Sequence, residues 1–363
     1  MPRFIRVLIV DDSALIRQML ARALSMDPRI QIVGTAKNGV EAIERARELD
    51  PDVITLDIEM PQMTGLEALP YIRKHTDARV VILSSLDDAD TTYRAMSLGA
   101  VDFIPKPAGV ASTLSELTEQ LLKAIKTASR VSPQAAAEAM RDHGDVTCID
   151  GRTPTGAPCG PMQSSRVEAC VAIAASTGGP PVLERVFQGL IGSLPAAYVI
   201  VQHLPAGFSA SLARRLSAAG DVKVVEAEHG EVVRPGCGYL AKHGRHLVVE
   251  PCTEGHRLAY VDGPSQHGVR PAADLLFGSV ASCYGDRAVG VVLTGMGADG
   301  AAGALQIRLA GGDTVAQDEA SSVVWGMPSA ALRAGAVTRM VASGLVAAEI
   351  RRAVRARAEG AVS

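Results

Sequence analysis

Aromatic side chains make up only 3% of this 363-residue chain, with a single tryptophan. Few flat surfaces are therefore available on which unpaired bases could stack. An excess of positive charge is also missing: 36 Lys and Arg face 39 Asp and Glu, a formal net charge of −3. With a pI near 6.3, this balance argues against a general nucleic-acid binder. Long apolar runs are absent too, and nothing reaches the roughly 20 residues that a membrane-spanning helix needs. Near the start, MPRFIRVLIVDDS puts two arginines ahead of an apolar run, but that run is short and ends on two aspartates. No signal peptide is expected, and the predicted location is the cytoplasm without membrane insertion. The six cysteines, at 148, 159, 170, 237, 252 and 283, include no C-x-x-C pair. Reduced thiols are expected in such a chain. Cys252 with His256, or His243 with His246, could ligate a metal, but no second pair at ligand spacing accompanies them.

What the chain does have is 47% hydrophobic and 21% charged residues, a globular composition with length for two domains. Short β-branched runs alternate with helical patterns over the first 125 or so residues. IRVLIV, IQIVGTA, DVITLDI, RVVILSS and VDFIPK suit strands buried on both faces, and SALIRQMLARALSM and GVEAIERARELD suit helices between them. Such alternation predicts a parallel sheet covered by helices on both sides. Residues 127–165 lose the apolar period and are dense in Pro, Gly, Ser, Thr and Ala, which predicts a flexible linker. From 166 to 363 alternation resumes with VEACVAIAAS, AAYVIVQH, KVVEAEHG, GYLAKHGRHLVVE and AVGVVLT as strand candidates. Within this part, 230–262 reads as short antiparallel strands.

Ligand crevices in doubly wound sheets lie at the carboxyl ends of the strands. In the first domain Asp11, Asp12 and Asp57 fall at such ends, followed in order by Ser84 and Lys106. Converging carboxylates call for a hard cation such as Mg²⁺, with Ser84 and Lys106 suited to a phosphoryl oxygen. The segments VLIVDDS, LDIEMPQMTGLEAL, VVILSS and DFIPKP resemble a response-regulator receiver domain over residues 5–125. That resemblance implies phosphorylation of Asp57 by a sensor histidine kinase. It also implies Mg²⁺ held by Asp11, Asp12, Asp57 and the Glu59 carbonyl, and phosphoryl sensing by Ser84, Phe103 and Lys106.

In the second domain Ser176, His203 and Asp299 each follow a strand candidate. A serine hydroxyl needs a base to become nucleophilic, an imidazole can serve near neutral pH, and a carboxylate fixes its tautomer. TGGPP after Ser176 predicts a helix start whose amides could hold an oxyanion. Two other readings of LTGMGADG (293–300) compete. Asp299 could cap the helix opening at Ala301, or Gly295, Gly297 and Gly300 could cradle a dinucleotide, with Asp318 on its ribose.

The segments AASTGGP, VIVQHLPAGFSASLARRL, VRPAADLLFGSVA, VVLTGMGADGAAG and LAGGDTVAQDEASSVVWGMPSAAL resemble the catalytic domain of the chemotaxis protein-glutamate methylesterases of the CheB family. The resemblance implies Ser176 as nucleophile, His203 as general base and acid, and Asp299 as its partner, with Thr177 and Met296 shaping the substrate and oxyanion site. Methylated chemoreceptors are the implied substrate, hydrolysed at glutamate γ-methyl esters and deamidated at glutamines, with no cofactor in the esterase domain. The chain departs from the family at AKHGRHL (241–247), where Lys242 and His243 replace a Pro-Gly-rich turn. The fold expected is α/β throughout: a doubly wound receiver (1–126), a linker (127–165) and a doubly wound esterase (166–363) with a parallel sheet and a small antiparallel section. A non-catalytic output domain that binds a partner stands as the alternative, beside the dinucleotide reading.

Overall fold

The computed structural model describes residues 4–84, 89–106, 114–131, 167–192 and 194–360. The chain divides into two compact units, Met1–Gly144 and Asp145–Ser363.

The first unit carries strands β1 (Ile5–Val10), β2 (Ile30–Ala36), β3 (Val53–Asp57), β4 (Arg79–Ser84) and β5 (Asp102–Pro105). They form one sheet in the order β2-β1-β3-β4-β5, every pair parallel. β3 is buried along its whole length, Thr55 and Asp57 included, as expected for a central strand covered on both faces. The helices are α1 (Ala14–Leu24), α2 (Gly39–Leu49), α3 (Gly65–His75), α4 (Ala89–Ser97) and α5 (Leu114–Ala128). Local chemistry starts three of them. Ser13 and Asn38 accept the amides of Ile16 and Glu41, and Thr64 and Glu67 form a reciprocal capping box, which stabilises each start by about 1 kcal/mol. Residues 127 and 128 complete α5; the expected linker from 132 to 165 lies outside the described residues.

The second unit holds a seven-stranded sheet in the order β14-β13-β12-β6-β7-β9-β8. Its strands are β6 (Ala169–Ala175), β7 (Ala196–Gln202), β8 (Lys223–Glu226), β9 (Cys237–Leu240), β12 (Ala288–Val292), β13 (Asp313–Gln317) and β14 (Arg339–Val341), all paired in parallel. Strands β10 (His246–Cys252) and β11 (Gly255–Val261) make a separate antiparallel pair. The helices are α6 (Gly179–Gly189), α7 (Ser209–Ala219), α8 (Ala273–Tyr284), α9 (Ala301–Leu309), α10 (Met327–Arg333) and α11 (Val346–Gly360). Alternate residues of β6, namely Cys170, Ala172 and Ala174, pack in one core with Leu276 and Phe277 of α8, Ile307 of α9 and Met327 of α10. On β7, Tyr198 meets Phe187 of α6, ring centroids 5.9 Å apart. Among the described residues no helix is long and apolar enough to cross a membrane.

One expectation needs correction. Residues 230–262 are not all antiparallel: Cys237–Leu240 is buried throughout and fits between β7 and β8 in the parallel sheet, so only β10 and β11 form a hairpin. Among the described residues Cys170, Cys252 and Cys283 are free thiols.

Gly65 begins α3 directly beneath the end of β3. A Cβ there would lie 2.0 Å from the main-chain oxygen of Asp57, which cannot rotate aside. Gly65→Ala should cost the first unit about 1–3 kcal/mol and slow phosphorylation of Asp57. Denaturant unfolding and acetyl-phosphate labelling of the full chain check this, and wild-type values in both would contradict it.

Candidate active site

In the first unit the acidic residues gather at the carboxyl ends of β1 and β3. One oxygen from each of Asp11, Asp12 and Asp57 lies within 4.8 Å of the others. Asp11 and Asp57 are buried and Asp12 is exposed. Lys106 lies between the buried pair, its Nζ 2.8 Å from Asp11 Oδ2 and 2.6 Å from Asp57 Oδ2. A hard, oxygen-only donor set with more negative charge than one lysine balances fits a divalent cation such as Mg²⁺. Glu59 is exposed, and its amide bonds the Asp57 carboxylate. Ser84 is buried and accepts the Thr92 hydroxyl at 2.6 Å. Phe103 is turned inward, edge-on to the buried Tyr93 at 6.1 Å. Asp11, Asp12, Asp57, Ser84 and Lys106 stand at or just past the carboxyl ends of their strands, whereas Phe103 lies inside β5, opposite Ile82 of β4.

In the second unit the sheet order places the topological switch between β6 and β12. The chain runs from β6 outward to β7, β8 and β9, then crosses to β12 and continues the other way. Ser176 follows β6, His203 follows β7 and Asp299 lies in the loop after β12, so all three stand at the carboxyl ends of adjacent strands. Main-chain bonds draw them together: Ser176 N donates to Thr294 O at 3.0 Å and His203 N to Ala175 O at 3.1 Å. Gly295 presses on the serine so closely that a Cβ would sit 2.7 Å from Ser176 Cβ.

Asp299, 1% exposed, has both oxygens saturated. Oδ2 accepts His203 Nε2 at 2.8 Å and Ala273 N at 2.7 Å; Oδ1 accepts Asp274 N and Gly300 N, each at 3.0 Å. Burial alone would push this carboxyl up. The hydrogen bond and charge of His203, with the two helix amides, outweigh it and hold the group below the ordinary carboxylate value. Helix α8 has no side-chain cap from its own N-cap residue, Ala272, so Asp299 supplies the cap from a distant loop. The competing reading of Asp299 as the cap of α9 is set aside, because the N-cap of that helix is Gly300.

The same bonds dispose of the phosphate cradle. At the start of α9, Gly300 N is taken by Asp299 and Gly303 N by Asp274 Oδ1 at 2.7 Å. Asp318 closes a local turn onto Ser321 N and Oγ rather than waiting for a ribose. The α6 start also yields fewer amides than expected. Pro180 and Pro181 have none, and Gly179 N donates to Ser176 O at 2.8 Å.

Thr177 follows the serine in the same turn and its O accepts Thr294 Oγ1 at 3.0 Å; Met296, 37% exposed, lies in the loop after β12 next to Gly295. The 241–247 turn lies close by, with His243 Nδ1 2.8 Å from Leu204 O, next to His203 in the chain. Sequence reasoning missed Asp274, which receives His267 Nε2 at 2.9 Å, and the buried Gln202 and Thr294. Asp274 sits in a quoted motif, but nothing in its spacing connects it to a loop 25 residues later.

The chain matches the family model for CheB methylesterase over residues 171–350 and that for the response regulator receiver domain over residues 7–121. A protein-glutamate methylesterase/protein-glutamine glutaminase of Pyrococcus horikoshii is 41% identical over 94% of this chain and 91% of its own length. The chain belongs to the CheB methylesterase family. A relative of the same name from Symbiobacterium thermophilum is 40% identical over 97% of this chain and 98% of its own length. One from Xanthomonas campestris pv. campestris is 43% identical over 93% and 94%. Family membership sets aside the dinucleotide and binding-module alternatives, and accounts for a receiver and an esterase on one chain.

Burial raises the Asp57 carboxyl to about 6, with Lys106 opposing, Asp11 adding repulsion and the Glu59 amide opposing. The folded state therefore holds an extra proton between the ordinary value of 3.8 and about 6. Stability is lost as pH rises through that window and stays at the lower level above it. Asp57→Asn, uncharged throughout, should gain on wild type across the window by up to about 3 kcal/mol at roughly 1.4 kcal/mol per pKa unit, then level off. Denaturant unfolding in divalent-free buffer tests this; a pH-independent difference would contradict it.

Proposed function

We propose that this chain is a phosphorylation-regulated serine esterase that hydrolyses glutamate γ-methyl esters on methylated chemoreceptors and deamidates glutamines there. The observation that carries the reading is the convergence of Ser176, His203 and Asp299 at three adjacent strand ends, with His203 tied to Asp299 at 2.8 Å.

That bond engages Nε2 of His203, so Nδ1 is the ring nitrogen left to take a proton. Ser176 Oγ attacks the ester carbonyl carbon as its proton passes to His203 Nδ1. The imidazolium so formed is stabilised by the Asp299 carboxylate. The carbonyl oxygen becomes an oxyanion beside the Thr177 turn and the Met296 loop. His203 then returns the proton to the departing methoxide, methanol leaves, and an acyl-enzyme remains. Water, activated by the same nitrogen, releases free glutamate and restores Ser176. A glutamine side chain follows the same course with ammonia as leaving group. No metal or organic cofactor is assigned to these steps.

In the receiver, Asp11, Asp12, Asp57 and the Glu59 carbonyl would hold Mg²⁺, whose charge offsets that of an incoming phosphoryl group. Asp57 accepts the phosphoryl group from a sensor histidine kinase. Lys106 balances the added charge, and Ser84 and Phe103 respond to it. The chemistry is predicted to proceed in the cytoplasm.

Ser176→Ala should lower methanol release from methylated receptor membranes by at least about 10⁴-fold while leaving acetyl-phosphate labelling of Asp57 intact. Retained hydrolysis would overturn the nucleophile assignment.

A further inference from the structure

The turn that carries Ser176 is held by its carbonyls, from side chains with no assigned role. Gln202, buried at the end of β7, donates through Nε2 to Ser176 O at 2.9 Å and to His203 O at 3.0 Å. Thr294, buried just beyond β12, has Oγ1 3.0 Å from Thr177 O and 3.3 Å from Val324 O, so its one proton goes to the nearer Thr177 O, and it accepts Val324 N at 3.0 Å. Both side chains are themselves fixed. A Cβ on Gly179 would fall 2.0 Å from Gln202 Oε1, so only glycine lets the amide lie where it does. Thr294 N donates to Gln317 Oε1 at 2.8 Å, and Gln317 Nε2 donates onward to Ser321 O at 2.7 Å.

Carbonyl and amide of one trans peptide point in opposite directions. Holding Ser176 O against buried Gln202 turns the Thr177 amide toward the half-buried side of the turn. Holding Thr177 O on Thr294 does the same for the Gly178 amide relative to β12. The start of α6 offers no substitute, because Pro180 and Pro181 lack an N–H and Gly179 N is spent on Ser176 O.

We propose that Gln202 and Thr294 are positioning residues that hold the 176–178 turn by its carbonyls and so aim the Thr177 and Gly178 amides at the oxyanion. This rests on Ser176 as nucleophile. Gln202 also fixes the spacing of nucleophile and base, because its one Nε2 bridges Ser176 O and His203 O. An oxyanion hole accelerates only if its donors are oriented before charge develops, so the loss should appear in turnover rather than in substrate binding.

The test uses the full chain, phosphorylated with acetyl phosphate and Mg²⁺, acting on methylated receptor membranes. Thr294→Val keeps the shape and removes the hydroxyl, Thr294→Ser restores the hydroxyl, and Gln202→Met removes the bridging amide. The expected result is a fall of about 10-fold or more in kcat for Thr294→Val and Gln202→Met. KM should stay within about twofold, and Thr294→Ser should return to within about threefold of wild type. A merely structural role would lower the folded fraction, read from the thermal midpoint, without this split or the rescue by serine. Ser176→Ala, run alongside, separates the two readings. If it is inactive while Thr294→Val and Gln202→Met turn over at the wild-type rate, or Thr294→Ser is as slow as Thr294→Val, the positioning inference fails alone. If it stays active, the nucleophile assignment fails and takes this inference with it.

Discussion

The four hydrogen bonds that converge on the Asp299 carboxylate are the constraint on which the second unit depends. One comes from His203, two from the first turn of α8 and one from Gly300 at the start of α9. A buried carboxylate without such donors would take up a proton and could no longer stabilise an imidazolium. With them it stays ionised, and in return it satisfies the open amides at the start of α8. The acid proposed to orient the base is thus also the cap of a core helix. Loop, helix and histidine cannot move independently.

The two units solve opposite electrostatic problems with the same architecture. Each is a parallel sheet whose strand ends present polar residues to one crevice, where the main chain is free of sheet pairing. In the receiver, Asp57 is buried without enough positive charge, and its carboxyl rises to about 6. A cation or a phosphoryl group with its metal therefore has an unfavourable balance to act upon. In the esterase, Asp299 has every donor it can use and is held low. A site awaiting a charged group is under-compensated, whereas one organised for proton transfer is saturated beforehand.

Much of this is legible in the sequence. β6 is a continuous apolar run and β3 a mostly apolar one, and counting along them places Ser176 and Asp57 just past and at their ends. The site is less so. That Asp299 caps α8 and not α9 depends on a contact across 25 residues that no local motif encodes. Gln202 and Thr294 look like ordinary polar strand termini, because their partners are main-chain oxygens, which leave no mark on the amino-acid pattern. Cys237–Leu240 looks antiparallel since short strands separated by turns suggest a meander; its burial on both faces emerges only once the sheet order is known. The TGGPP turn suggests helix amides because prolines favour an N-terminal turn by their conformation, yet the same prolines lack the N–H groups such a site would need.

The proposed mechanism requires His203 to keep its proton on Nε2, against Asp299, and to leave Nδ1 open to the Ser176 proton. Nitrogen-15 NMR of histidine-labelled protein above the imidazole titration, with the His203 signals assigned by their loss in His203→Gln, reports this tautomer directly. The prediction is a protonated Nε2 and an unprotonated Nδ1 in the wild-type chain, with that preference lost in Asp299→Asn. A proton resident on Nδ1 in the wild type would contradict it, and with it the view that the Asp299 carboxylate sets the direction of proton transfer.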